Sequence, residues 1–244
     1  MSLPRPLHAL TTAVVVVTAV LGPARLASAA PAQDLPSADQ LKAALLTADD
    51  VGPGYTEAPA STESPGPSDN PTPVTGCDAL SALVTMHTGQ SSPATPHAET
   101  ELDGPDDGNP MVTEALTAED PGKLTTDLNT VTDAFKTCHT ITFTAGDTDT
   151  VTFTVTPVTL GDRQDAPAVR LDGTLAGVQL NAFIGVERFG TVGMAFGYFQ
   201  RQGADSQTAS MQYRTAVAKV ERTLGTTAGS TTPPTATPTQ GLSV

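Results

Sequence analysis

The sequence predicts an α+β fold, a single domain in which helices pack on an antiparallel sheet built as a meander. Two observations carry this. Between residues 140 and 200, five segments alternate apolar and polar side chains with only turn-sized gaps between them, the mark of antiparallel neighbours. That run is flanked by two stretches of helical periodicity, Leu124, Leu128, Val131 and Phe135 before it and Ala209, Tyr213, Ala216, Val217, Val220 and Leu224 after it.

Residues 1–29 read as a secretory signal peptide. Arg5 gives a basic start, the stretch from Ala9 to Gly22 is almost wholly apolar, and Pro23 and Arg25 precede the small-x-small site Ala27-Ser28-Ala29. An uncleaved anchor is the rival reading, but the apolar run is short of the ~20 residues a spanning helix needs. No cysteine near the site offers a place for a lipid. The expectation is a secreted, extracellular chain, not an integral membrane protein after cleavage at Ala29.

Residues 30–37 form a polar leader, and 38–225 the domain. Ser37 or Asp39 can cap a first helix carrying Leu41, Ala44, Leu45 and Ala48 and ending near Asp50. Gly52-Pro53-Gly54 stops it, and prolines 59, 65, 67, 71 and 73 mark 56–75 as a long exposed loop. Leu80, Leu83 and Val84 suggest a short helix from Asp78 to Met86. Strands are expected at 97–103 and 111–117 around the turn-rich Gly104-Pro105-Asp106-Asp107-Gly108-Asn109-Pro110. Asp120-Pro121 reads as an N-cap with proline at the first helical position. The meander follows, at 140–144, 151–155, 169–175, 178–187 and 191–200. A helix over 204–224, capped by Asp205 or Ser206, closes the domain, and 226–244 is a Thr- and Pro-rich tail expected to be disordered.

The last hairpin admits a detailed expectation. A three-residue loop, Arg188-Phe189-Gly190, pairs Val186 with Val192, Ile184 with Met194, Ala182 with Phe196 and Leu180 with Tyr198, keeping one apolar face for the helix 204–224. The opposite face then carries Asn181, Phe183, Gly185, Gly193, Ala195, Gly197 and Phe199, a shallow trough of small residues between two aromatics. Phe183 and Phe199 are the candidate ligand-facing residues, suited to an apolar or amphipathic molecule. The plain alternative is that the glycines let a helix approach closely.

Charge narrows the partners. Removal of 1–29 takes away Arg5 and Arg25, so 10 of the 12 basic residues remain against 26 acidic ones, a formal charge of −16. Such a surface repels nucleic acid and anionic lipid, and no nucleic-acid partner is expected. Cys77 and Cys138, the only cysteines, read as a disulfide in an oxidising compartment. Two free thiols or half a metal site are the other readings, and no second cysteine pair or close histidines complete a tetrahedral set.

Catalytic signatures are absent: there is no G-x-S-x-G elbow, H-E-x-x-H, phosphate-cradling glycine loop or dinucleotide fingerprint. After signal removal the histidines are His87, His97 and His139, and no triad is nominated by the sequence. Asp103, Asp107, Gly108, Asn109 and Glu114 fall at positions 1, 5, 6, 7 and 12 of a calcium-loop count, with Pro105 at a ligand position; a solvated hairpin turn explains the same residues. No catalytic residue, metal ligand or cofactor is assigned.

The order of elements, the segment Leu45-Leu46-Thr47-Ala48-Asp49-Asp50-Val51 and the helix end Phe135-Lys136-Thr137-Cys138 resemble the PknH-like extracellular sensor domain family of actinobacteria. The likeness spans about residues 41–224, without the family's tryptophan near the helix-terminal cysteine and without its second disulfide. What the resemblance implies is helices on a central antiparallel sheet and a groove for an unidentified cell-envelope ligand. The function expected is therefore a secreted, non-enzymatic ligand-binding or sensor-like domain for an unknown envelope ligand of lipid-like character. A secreted hydrolase without a recognisable motif and a structural envelope interaction protein are the alternatives.

Overall fold

The computed structural model describes residues 35–58, 74–78, 95–145 and 149–234. The expected signal peptide, most of the proline-rich loop, the helix expected beyond Asp78 and residues 235–244 lie outside them. Ser37 caps α1 (Ala38–Ala44) in a reciprocal capping box with Gln40. The helix stops at Leu45, whose backbone is extended, and α2 (Ala48–Val51) starts afresh after Thr47. One helix to Asp50 was expected; there are two. The break frees the Leu46 N–H, which donates to Glu114 Oε2 at 2.7 Å, and Thr47 with Asp50 forms a new capping box.

The remaining elements are β1 (Thr56–Glu57), β2 (Val74–Thr75), β3 (His97–Asp103), β4 (Met111–Ala118), α3 (Pro121–Thr137), β5 (Thr140–Ala145), β6 (Asp149–Pro157), β7 (Ala168–Leu175), β8 (Val178–Phe189), β9 (Val192–Arg201) and α4 (Ser206–Leu224). Among the described residues the strands form one antiparallel sheet ordered β1-β3-β4-β9-β8-β7-β6-β5-β2. The α+β class and the meander β5 to β9 are as the sequence predicted. The two ends of the expected loop 56–75 are instead the edge strands, β1 on β3 and β2 on β5.

Both faces of the sheet are cored. On one, α1, α2 and α4 cover Leu102, Val112, Leu116, Phe183, Phe189, Val192, Met194, Phe196 and Tyr198. On the other, Val131 and Phe135 of α3 meet Ile141, Phe143, Val151, Phe153, Val169, Leu171, Ile184 and Val186. This double burial overturns the expected hairpin register. Phe189 pairs with Val192 across the two-residue turn Gly190-Thr191, Val186 with Ala195, Ile184 with Gly197, Phe183 with Tyr198 and Ala182 with Phe199. The expected pairing kept one apolar face because it assumed one core; with a core on each side, the apolar set is free to change faces between strands. Leu180, Ile184 and Val186 therefore pack under α3, while Val192, Met194 and Phe196 pack under α4.

Cys77 and Cys138 are joined, with Cα atoms 5.5 Å apart, and the bridge ties the end of α3 to the segment after β2. Beyond α4, Gly225 in the left-handed conformation turns the chain back to the β8–β9 hairpin. Gly190 N–H donates to Ser230 O at 2.8 Å and Gly229 N–H to Arg188 O at 2.7 Å. The guanidinium of Arg163 donates to Ala228 O at 2.6 Å and lies so close to Gly229 that a Cβ there would displace it. Residues 226–234, read from sequence as the start of the tail, are thus strapped to the hairpin.

Candidate functional site

The helices on the α4 face reach only part of the sheet. Among the described residues the core beneath them takes nothing from β5 or β6, and Thr140, Thr152, Thr154 and Thr156 on the corresponding faces of those strands are exposed. Strict alternation in Thr150-Val151-Thr152-Phe153-Thr154-Val155-Thr156 buries Val151, Phe153 and Val155 under α3 and turns the threonines outward. On β5, Ile141 and Phe143 are buried and Thr140 and Thr142 face the other way.

Register arranges these groups into rows across the strands. Thr75, Thr142 and Thr152 are successive partners, and the Thr142 and Thr152 hydroxyls lie 2.9 Å apart. The next row runs Thr140, Thr154, Asp172, Asn181 and Gln200, and the third Thr156, Arg170, Phe183 and Tyr198. Neighbours within a row are separated by ~4.8 Å, and the rows by ~6.7 Å. At the α4 end the platform deepens into a trough of about 290 Å³, lined by Arg170, Asp172, Thr174, Gln179, Asn181 and, from the β9–α4 connection, Gly203 and Ala204.

The trough's charged pair is fixed from two sides. Arg170 donates from Nε (2.8 Å) and Nη2 (2.6 Å) to one carboxylate oxygen of Asp172, and its guanidinium sits 5.9 Å from the centre of the Phe183 ring. Phe183 is 2% exposed and tilts against Tyr198, so it serves as floor beneath Arg170. Gln200 accepts a hydrogen bond from Asp205 N–H at 2.9 Å, tying the sheet to the start of α4. Hydroxyl, amide, guanidinium and carboxylate converge here, a set suited to hydrogen-bonding a polar ligand.

The structure does not bring Phe183 and Phe199 together. Phe183 pairs with Tyr198 on the α4 face, and Phe199 pairs with Ala182 on the α3 face, so the apolar trough expected between them is not formed. Its glycines serve as helix seats from opposite sides: a Cβ on Gly185 would lie 2.7 Å from the Tyr213 ring, and one on Gly193 2.9 Å from Leu124. The calcium count also dissolves, because Glu114 is buried on the core side of β4 beneath Leu46. No group of three His, Cys, Asp or Glu able to hold a metal occurs among the described residues. His97 and His139 are exposed and lie towards opposite edges of the sheet, and His87 is outside the described residues.

Among solved structures, the extracellular domain of PknH from Mycobacterium tuberculosis is similar, with a TM-score of 0.53 and 18% identity over 78% of this chain and 97% of that one. The likeness is one of fold. No family model matches the chain, and no curated protein matches it. Among the described residues, no helix is long and apolar enough to cross a membrane. Sequence reading missed the threonine rows, although the signal was present: Thr at every second position of 140–144 and 150–156.

Proposed function

We propose that this chain is a secreted, non-enzymatic ligand-binding domain of the sensor type, and that its ligand lies in the trough between β7, β8 and the β9–α4 connection. The observation that carries the reading is the convergence of Arg170, Asp172, Gln179 and Asn181 in an open concavity whose guanidinium is already oriented by Asp172 and Phe183. A likeness of fold to an extracellular domain, a disulfide and the signal-like first 29 residues support a site of action outside the cytoplasm. A polar ligand fits this trough, whereas a purely apolar one would offer no hydrogen bond to the Gln179 and Asn181 amides that it covers.

A thermal-shift screen of the full chain against cell-envelope extracts tests the proposal. A binder of the folded state raises the unfolding midpoint by mass action, about 2.7 kcal/mol at a hundredfold excess over its Kd. Asn181→Ala should abolish that rise. Failure of every fraction to shift the midpoint, or an equal shift in Asn181→Ala, overturns the site, and turnover of an ester, peptide or glycoside panel favours the hydrolase alternative. Secreted material should begin at Ala30 by N-terminal sequencing, and a start at Met1 overturns secretion by a cleaved signal.

A further inference from the structure

We infer that the ligand of this face is an uncharged polysaccharide whose extended chain lies across the strands along the threonine rows. The inference rests on the trough being the binding site and names what extends from it. The row Thr140, Thr154, Asp172, Asn181, Gln200 offers a polar side chain on each of five strands, about 19 Å of surface at ~4.8 Å per strand. That is more than one sugar ring needs, and its step is close to the advance per ring of an extended β-linked glycan. Each threonine supplies a hydroxyl that donates and accepts, beside a methyl group that can meet the C–H face of a ring. Its branched side chain is restricted about χ1, so little freedom is lost on binding.

Other occupants fit less well. The chain carries a formal charge of −14, which repels polyanions, and the only charged residues in the three rows, Arg170 and Asp172, are paired with each other. A protein partner or a lipid needs apolar anchors. Among the described residues the exposed large hydrophobic is Met211, which lies on α4 and not on the platform. What remains is a surface rich in neutral hydroxyls and amides, repeated from strand to strand.

The test measures binding of the full chain to cellohexaose, mannan and dextran, with heparin as the polyanion, and compares it with the triple variant Thr142→Val, Thr152→Val, Thr154→Val. Valine keeps the branched shape and strand preference, and circular dichroism checks that the variant folds. Expected are binding to at least one neutral glycan that is insensitive to salt, and a loss of roughly tenfold or more in the variant. No binding to any neutral glycan, equal binding by the variant, or retention of heparin alone overturns the inference. If an envelope fraction raises the unfolding midpoint and Asn181→Ala abolishes the rise while the triple variant keeps it, the trough stands and the polysaccharide falls. If Asn181→Ala keeps the rise as well, both fall.

Discussion

Glu114 is a side chain whose surroundings oppose its ordinary chemistry. It is fully buried in the middle of β4, accepts the Leu46 N–H with one oxygen, and has no protein partner for the other. Burial pushes its carboxyl up to about 8, against the smaller opposing pulls of the Leu46 N–H and the Lys219 charge. A folded-state value above the unfolded one means that the proton's contribution to stability is complete below the usual carboxylate range and lost as pH rises through about 8. Glu114→Gln keeps an oxygen for Leu46 and carries no charge. Its unfolding midpoint should fall less than that of the parent between pH 5 and pH 8, with a residual slope from Glu187, which burial raises in the same direction. Equal slopes in the two proteins would show that Glu114 is ionised in the fold. Phe183 makes a second test at this scale: as a core residue its replacement by Ala should cost about 3–5 kcal/mol in denaturant unfolding. A loss under 1 kcal/mol would place it at the surface.

At the scale of elements, caps made the helices legible. Asp120 accepts from Gly122 and Lys123 N–H, and Asp205 from Gln207 and Thr208 N–H, each at the start the sequence assigns. The break between α1 and α2 was not legible, because its cause is a carboxylate 68 positions away on β4. The hairpin register was misread for a related reason, since alternation reports which residues share a face of one strand but not which core that face meets. α4 reaches the sheet through Gly185, where a Cβ would strike the Tyr213 ring. Gly185→Val should therefore destabilise by about 1–3 kcal/mol through overpacking, read as a lower denaturant midpoint. A neutral result would mean that the helix sits further from β8.

For the whole molecule, the strongest covalent constraint is the bridge between Cys77 and Cys138, closing a separation of 61 residues. On the loop-entropy account, replacing both cysteines with Ala should cost about 4 kcal/mol, measured by chemical unfolding; an unchanged stability would show that the unfolded chain is already restricted there. By itself the sequence determined the class of fold, the meander, the capped helices α3 and α4, and the pairing of its two cysteines. These follow from local signals: periodicity, caps, turn residues and cysteine number. Tertiary structure alone decided that the sheet has a core on each face, that Phe183 and Phe199 part company, and that Thr140, Thr154, Asp172, Asn181 and Gln200 fall into one row. The reason is physical: a side chain's face along its own strand is set by a period of two, but its neighbours across strands and the helix above it depend on register and on burial by segments far away in the chain.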